Sequence, residues 1–345
     1  MGLTSYERVM AAVALQEPDR VPLVPRTKGF SIKHAGLNLS ECFENPDKYN
    51  TAQIRMVQDF AFDAVTDLHS GAPLFNEFLG AKLHFGDSAS PSAPPVFASI
   101  EQFEKAKTVD LGKMRRMEDV HRAVRKLKEE VHGRVPLVVS VPPPFRSAAL
   151  LRGMQEFFLD LAIRPAFVRD LLAFCLEMGK AYAEIVIDAG ADIIFTSNSV
   201  ANRGCISRKY YQEFVTEDNK VLHRFMKSRN VKIVHHTCGD WSDRFDLVVE
   251  EGSDILFVAA EANLAQLKET YGSRICLMGN VDSVQVMHQG TPEDVERESL
   301  ECVKKAGAKG GFILSGDCEL PPGIPVQNLR AMEAVGKAAI YPLGF

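Results

Sequence analysis

No window of the 345-residue chain approaches ~18 uninterrupted apolar residues, so no membrane-spanning segment is expected. There is no excess of positive charge either. The net charge is -5, which argues against a general affinity for nucleic acid or anionic membranes. The first residues, "MGLTSYERVMAAVALQEPDRVPL", lack a basic stretch followed by an apolar core. They read as a buried amphipathic helix capped by Thr4 or Ser5 rather than a secretion signal. No strand-linked GxGxxG and no GxxxxGK[ST] occurs, which removes the usual nucleotide loops, and no repeat of solenoid period is present. The seven cysteines are odd in number and scattered, with no paired CxxC. That pattern does not suggest a disulfide framework, and reduced thiols in a cytoplasm are the default expectation.

What is present is a series of short apolar runs separated by helical patterns. Strands are predicted at 21–25, 63–68, 136–141, 192–197, 232–237, 255–259, 275–280 and 312–317. Several are near-continuous in Val and Ile, as parallel strands buried on both faces are. Between them, 117–131, 166–190, 207–229 and 291–307 place apolar residues at three- and four-residue steps. Eight strand candidates alternating with helices predict a (β/α)8 TIM barrel, with a doubly wound open sheet as the rival. One domain is expected over 1–345, with an N-terminal helix at 1–20 and a hairpin insertion at 80–100, where "GDSASPSAPP" is rich in Ser and Pro.

Barrel enzymes carry their chemistry at the C-terminal ends of strands. The run at 232–237 leads into "HHTCGDW", which holds the one tryptophan. His236 and Cys238 are two apart, so on an extended backbone they share a side. Cys318 follows the last run and, in a closed barrel, lies across the mouth from them. An imidazole and two thiolates suit zinc, and three protein ligands leave a fourth position open, the catalytic arrangement. Sulfur donors argue against magnesium or calcium. His235 is expected to be a core or supporting histidine. Three other readings stand beside the metal site. A Cys–His dyad is one, and a carboxylate pair of Asp282 with Asp240 or Glu77 is another. A non-enzymatic zinc scaffold with closed coordination is the third.

Taken together, these residues resemble the uroporphyrinogen decarboxylase superfamily, and within it the zinc-dependent corrinoid methyltransferase branch. The resemblance spans nearly the whole chain. It is carried by "ERVMAAVALQEPDRVPL", "FDAVTDLHSG", "GADIIFTSNSVANRGCISRKYYQEF", "HHTCGDW", "CLMGNVDS" and "ILSGDCELPPGIPVQNLRAM". It implies a (β/α)8 barrel and zinc held by His236, Cys238 and Cys318. It also implies methyl transfer between a corrinoid (cobalamin) carried by a partner protein and a small molecule. That molecule is a thiol such as coenzyme M, tetrahydrofolate, or a methoxylated aromatic as donor. The decarboxylase branch carries Arg-Gln-Ala-Gly-Arg-Tyr at its first strand; "VPRTKGFSIKHAG" here keeps only Arg26 of it. A metal-free decarboxylase is therefore the second expectation. The chain departs from the methyltransferase pattern at Asn198 and at "PPPFRSAALLRG", which brings Arg146. Glu77, Asn198, Asn280 and Asp282 are expected to line the pocket. Arg26, Arg146 and Lys28 are expected to hold an anionic group, and Asp240 or Glu319 to close the fourth zinc position. The sequence allows a homodimer.

Overall fold

The computed structural model describes residues 2–69, 73–86, 90–106 and 115–344. Seven of the apolar runs form strands of one parallel sheet: β1 (Val65–Thr66), β2 (Leu137–Ser140), β3 (Ile193–Ser197), β4 (Lys232–Thr237), β5 (Ile255–Val258), β6 (Cys276–Val281) and β7 (Phe312–Gly316). Each pairs with the next in chain order, and helices lie between them. The sheet curls, an α/β arrangement of the TIM-barrel type.

The eighth predicted run, 21–25, is a correction: it forms bridges rather than a strand. Pro22 and Pro25 have no N–H to offer a ladder. The segment nevertheless spans the two sheet edges. Val24 donates to the Leu314 carbonyl of β7 at 3.0 Å, and Asp63, just before β1, donates to the Leu23 carbonyl at 2.8 Å. The Asp63 carboxylate closes the same seam. It accepts from the Leu23 amide at 2.8 Å and from Arg8 at 2.7 Å and Arg20 at 2.8 Å.

Strand alternation sorts the core into two layers. Val138, Ile193, Phe195, Val234, Ile255, Phe257, Met278 and Ile313 face inward. Val139, Ile194, Ile233, Leu256, Leu277 and Leu314 face outward into the helices. The helix Ser5–Val13 starts at a Thr4 capping box with Glu7, and its Val9, Ala12 and Val13 join the inner layer. In the stretch 80–100, His84 and Ser92 form an antiparallel bridge; its residues 87–89 lie outside the described residues. The stretch 207–229, read as one helix, is two, Arg208–Phe214 and Thr216–Lys227, broken at Val215 with φ -123° and ψ -50°. No helix among the described residues is long and apolar enough to cross a membrane.

Candidate metal centre

β4 ends in the cluster that the sequence marks out. Its inward positions are Val234 and His236, and Cys238 continues the alternation just past the strand. Its outward positions include His235, fully buried against the helix layer. His235 packs edge-on to His223 and Trp241, with ring centroids 5.8 and 5.9 Å away, and its Nδ1 is 3.5 Å from Glu251. It is a supporting residue on the far side of the strand. Gly239 then turns the chain at φ +83°, and a Cβ there would stand 3.0 Å from the Asn202 amide nitrogen. That amide and the Trp241 indole both donate to the Cys238 carbonyl, at 3.3 and 2.9 Å, which fixes where the thiol points.

Cys318 arrives from the turn after β7. Its amide donates to Ser283 Oγ at 3.3 Å, and the neighbouring Asp317 accepts from the amides of Ser283 and Ala260 at 2.9 and 3.3 Å. The turn is thereby tied to the ends of β5 and β6. One donor atom each from His236, Cys238 and Cys318 lies within 4.8 Å of the others, close enough for a single ion to meet all three. The other described cysteines are buried singly (Cys42, Cys175, Cys276, Cys302) or exposed (Cys205).

The donors are prepared for a cation. The His236 ring lies 4.3 Å from Phe257, and its Nδ1 is 3.3 Å from the Phe257 carbonyl. Donation there leaves Nε2 as the free ligand nitrogen, the way a second partner sets a metal-binding tautomer. That Nε2 is buried and has no hydrogen-bond partner among the described residues. The two thiols lie close enough to perturb each other. The bond from Cys318 pulls the Cys238 pKa down against desolvation, while the same bond and burial push Cys318 up. A soft donor set with an orphaned imidazole nitrogen and one thiol biased toward thiolate fits zinc.

The three donors open onto a cavity of about 180 Å³. Arg26 and Arg146 line it, as do Phe195, Ser140, Ser197, His69 and Glu319. Arg26 lies over the Phe195 ring at 3.8 Å. Lys28 is buried behind the wall with its ammonium 2.8 Å from Ser90 Oγ, and burial lowers its pKa to about 8.

Four of the expected lining residues are not among those that line this cavity. Asn198 follows inward-facing Ser197 and so points outward, where it donates to Asn219 at 3.3 Å. Asn280 donates to the Ala259 and Ala262 carbonyls at 3.0 and 3.1 Å. Gly279 beside it has φ +127°, which interrupts the alternation that would have turned Asn280 inward. Asp282 caps the turn after β6, accepting from the Val284 and Gln285 amides at 2.8 and 2.7 Å. Glu77 sits on the short helix Leu74–Phe78 and is not among the residues that line the cavity. Asp240 pairs with Arg203 at 3.1 Å near the surface, whereas Glu319 lines the cavity. Sequence reading missed Ser140, Phe195 and Ser197, although all three share the inward parity of the strands that carry them.

A curled parallel sheet with helices between its strands, and three candidate metal ligands at its C-terminal strand ends, defines an α/β protein of the TIM-barrel type. The chain belongs to the uroporphyrinogen decarboxylase (URO-D) family, whose model matches residues 4–338. It is 27% identical to a methylcobamide:CoM methyltransferase, MtbA, of Methanosarcina acetivorans over 98% of this chain and 99% of that one. It is 24% identical to a uroporphyrinogen decarboxylase of Methylobacillus flagellatus, over 87% and 85% of the two chains. A solved methyltransferase from Methanosarcina mazei superposes with a TM-score of 0.86 at 23% identity, covering 97% of this chain and 99% of that one.

Proposed function

We propose that the chain is a zinc-dependent corrinoid methyltransferase. It moves a methyl group between a corrinoid carried by a partner protein and a small molecule. The scaffold of this reading is a (β/α)8 barrel over 1–345 whose eighth strand is reduced to bridges, with an N-terminal helix at 1–20 and an insertion at 80–100. The observation that carries it is the convergence of His236, Cys238 and Cys318 on one point that opens into a small cavity. A closed structural zinc site has no such opening.

His236, Cys238 and Cys318 would hold the ion. Bound zinc supplies Lewis acidity, lowering the pKa of a thiol or polarising an ether oxygen. Arg26 and Arg146 would bind and orient an anionic part of the small molecule, and Phe195 keeps the Arg26 guanidinium from swinging. With a thiol acceptor, the thiol would give up its proton to solvent and its sulfur would take the methyl group, while the electron pair of the broken carbon–cobalt bond would stay with the corrinoid substrate. The partner must dock over the strand ends, because the cavity opens there. Its volume of about 180 Å³ suits a small thiol better than a tetrapyrrole, since pockets for drug-sized ligands run ~300–1,000 Å³. The relatives of methylcobamide:CoM methyltransferase type support the same choice over the decarboxylase. The reading places the enzyme in a cytoplasm, where the cysteines stay reduced.

The test is elemental analysis of purified protein beside Cys318→Ala and His236→Ala. Near-stoichiometric zinc in the parent, lost in both variants, is expected. Folded metal-free parent protein, or zinc retained by both variants, would overturn the reading and favour the metal-free decarboxylase.

A further inference from the structure

Two of the three candidate donors are thiols, and they come from turns far apart in the sequence. Cys238 follows β4 and Cys318 follows β7, yet their sulfurs lie within 4.8 Å of each other. Both are partly exposed, and both line the cavity at the strand ends. A small oxidant entering that cavity meets two thiols at once. The other five cysteines are placed differently. Cys42, Cys175, Cys276 and Cys302 are buried, and Cys205 is exposed but does not line the cavity.

The backbone keeps the two turns in place. The Cys238 carbonyl accepts from the Trp241 indole and the Asn202 amide, at 2.9 and 3.3 Å. The Cys318 amide donates to Ser283 Oγ at 3.3 Å, and Leu320 just beyond it donates to the Arg26 carbonyl at 2.8 Å. The approach to a disulfide bond of ~2.05 Å therefore falls to the side chains, each turning about its Cα–Cβ bond.

A bound ion and a disulfide exclude each other. The ion takes both sulfurs as thiolates, and a disulfide has no thiolate to give. His236 would then be the one donor left of the three.

We propose that Cys238 and Cys318 form an oxidation site, joined by a disulfide when a peroxide reaches the centre without its ion and kept apart while the ion is bound. The part played by the ion rests on the preceding reading; the cross-link itself does not. The reaction balances with hydrogen peroxide as the oxidant. One sulfur attacks a peroxide oxygen, the O–O bond breaks, and a sulfenic acid and one water result. The other sulfur displaces the hydroxyl of the sulfenic acid as a second water, and the S–S bond forms. Two thiol protons and two electrons have passed to the peroxide. A dithiol reductant gives them back and reopens the site.

Peptide mapping by mass spectrometry tests this on the full chain. Zinc-loaded protein and protein stripped with a chelator are each treated with a small excess of hydrogen peroxide, and free thiols are then alkylated under denaturing conditions. Stripped protein should give the Cys238–Cys318 cross-linked peptide and lose two of its seven free thiols. It should also stop taking up zinc until dithiothreitol restores both. Zinc-loaded protein should cross-link more slowly by about tenfold or more, since its sulfurs are held by the ion. Cys205→Ser removes the exposed thiol and should leave the cross-link unchanged.

A cross-link that runs to Cys205 instead, or oxidation of Cys238 and Cys318 to separate sulfinic acids, would overturn the proposal. Equal rates with and without zinc would overturn the protection by the ion. The two readings fail separately. Protein that holds no zinc yet forms the cross-link loses the metal reading and keeps the oxidation site. Protein that holds zinc but does not cross-link when stripped keeps the metal reading and loses the oxidation site.

Discussion

The Trp241 indole donates to the carbonyl of Cys238 at 2.9 Å, joining the one tryptophan of the chain directly to a candidate metal ligand. The ring is 1% exposed and packs edge-on to Tyr211, with centroids 5.6 Å apart. Trp241→Phe keeps most of that packing and removes the donor. The loss of a hydrogen bond worth about 1 kcal/mol should loosen the turn and lower zinc affinity roughly fivefold, with little change in secondary structure. Competition with a chromogenic chelator checks it; unchanged affinity would show that Asn202 alone positions the turn.

Gly279 has φ +127°, and a Cβ placed on it would stand 2.9 Å from the Val258 carbonyl oxygen on β5. Gly279→Ala should therefore strain the backbone and push the two strands apart. A loss of about 1–3 kcal/mol or more is expected in urea unfolding.

Asp63 joins the N-terminal helix, the bridging segment and the entry to β1. Besides Arg8, Arg20 and the Leu23 amide, it accepts from Ser5 Oγ at 2.8 Å, and its side chain is 0% exposed. Asp63→Asn keeps the shape and removes the charge, leaving Arg20 without its counter-ion and Arg8 with Asp19 alone. A loss of about 3–5 kcal/mol is expected, the usual result of breaking a buried pair from one side. Thermal and urea melts measure it, and a change below about 1 kcal/mol would contradict the role given to the seam.

Glu251 is buried behind β4, where Tyr211 donates to it at 2.7 Å and Asn219 at 2.8 Å. Burial raises its pKa from 4.5 to about 8, so the folded protein favours the neutral acid. Its contribution to stability is complete below pH 4.5 and is lost as pH rises toward 8, because ionisation then costs more in the folded state than in the unfolded one. Glu251→Gln removes that ionisation. Its stability relative to the parent should rise between pH 5 and 8.5, by an amount on the order of 2 kcal/mol. Parallel denaturant titrations across that range decide it; a constant difference would place the ionisation elsewhere.

Local pattern carried much of this architecture. The Val- and Ile-rich runs at 232–237 and 312–317 became β4 and β7 with ends shifted by at most a residue, since a buried parallel strand needs apolar residues at every position. The two-residue spacing of His236 and Cys238 was equally readable, because side chains alternate along an extended chain. The same rule could have chosen Ser197 over Asn198. It fails at Asn280 because the φ of Gly279 interrupts it, and that angle is not written in the residue names.

The sequence by itself determined the strand order, the inner and outer faces of most strands, and which residues have the chemistry to hold a metal. Those properties depend on neighbours along the chain. Tertiary structure alone decided that Cys318 meets His236 and Cys238, residues some eighty positions away, and that Arg26 faces Glu319 across nearly the whole length of the chain. It also decided that residues 21–25 seal the sheet through bridges rather than as a strand. These are consequences of curling a sheet until its first and last segments touch. Contacts of that kind are set by the packing of all the strands together and leave no periodic trace in any one of them.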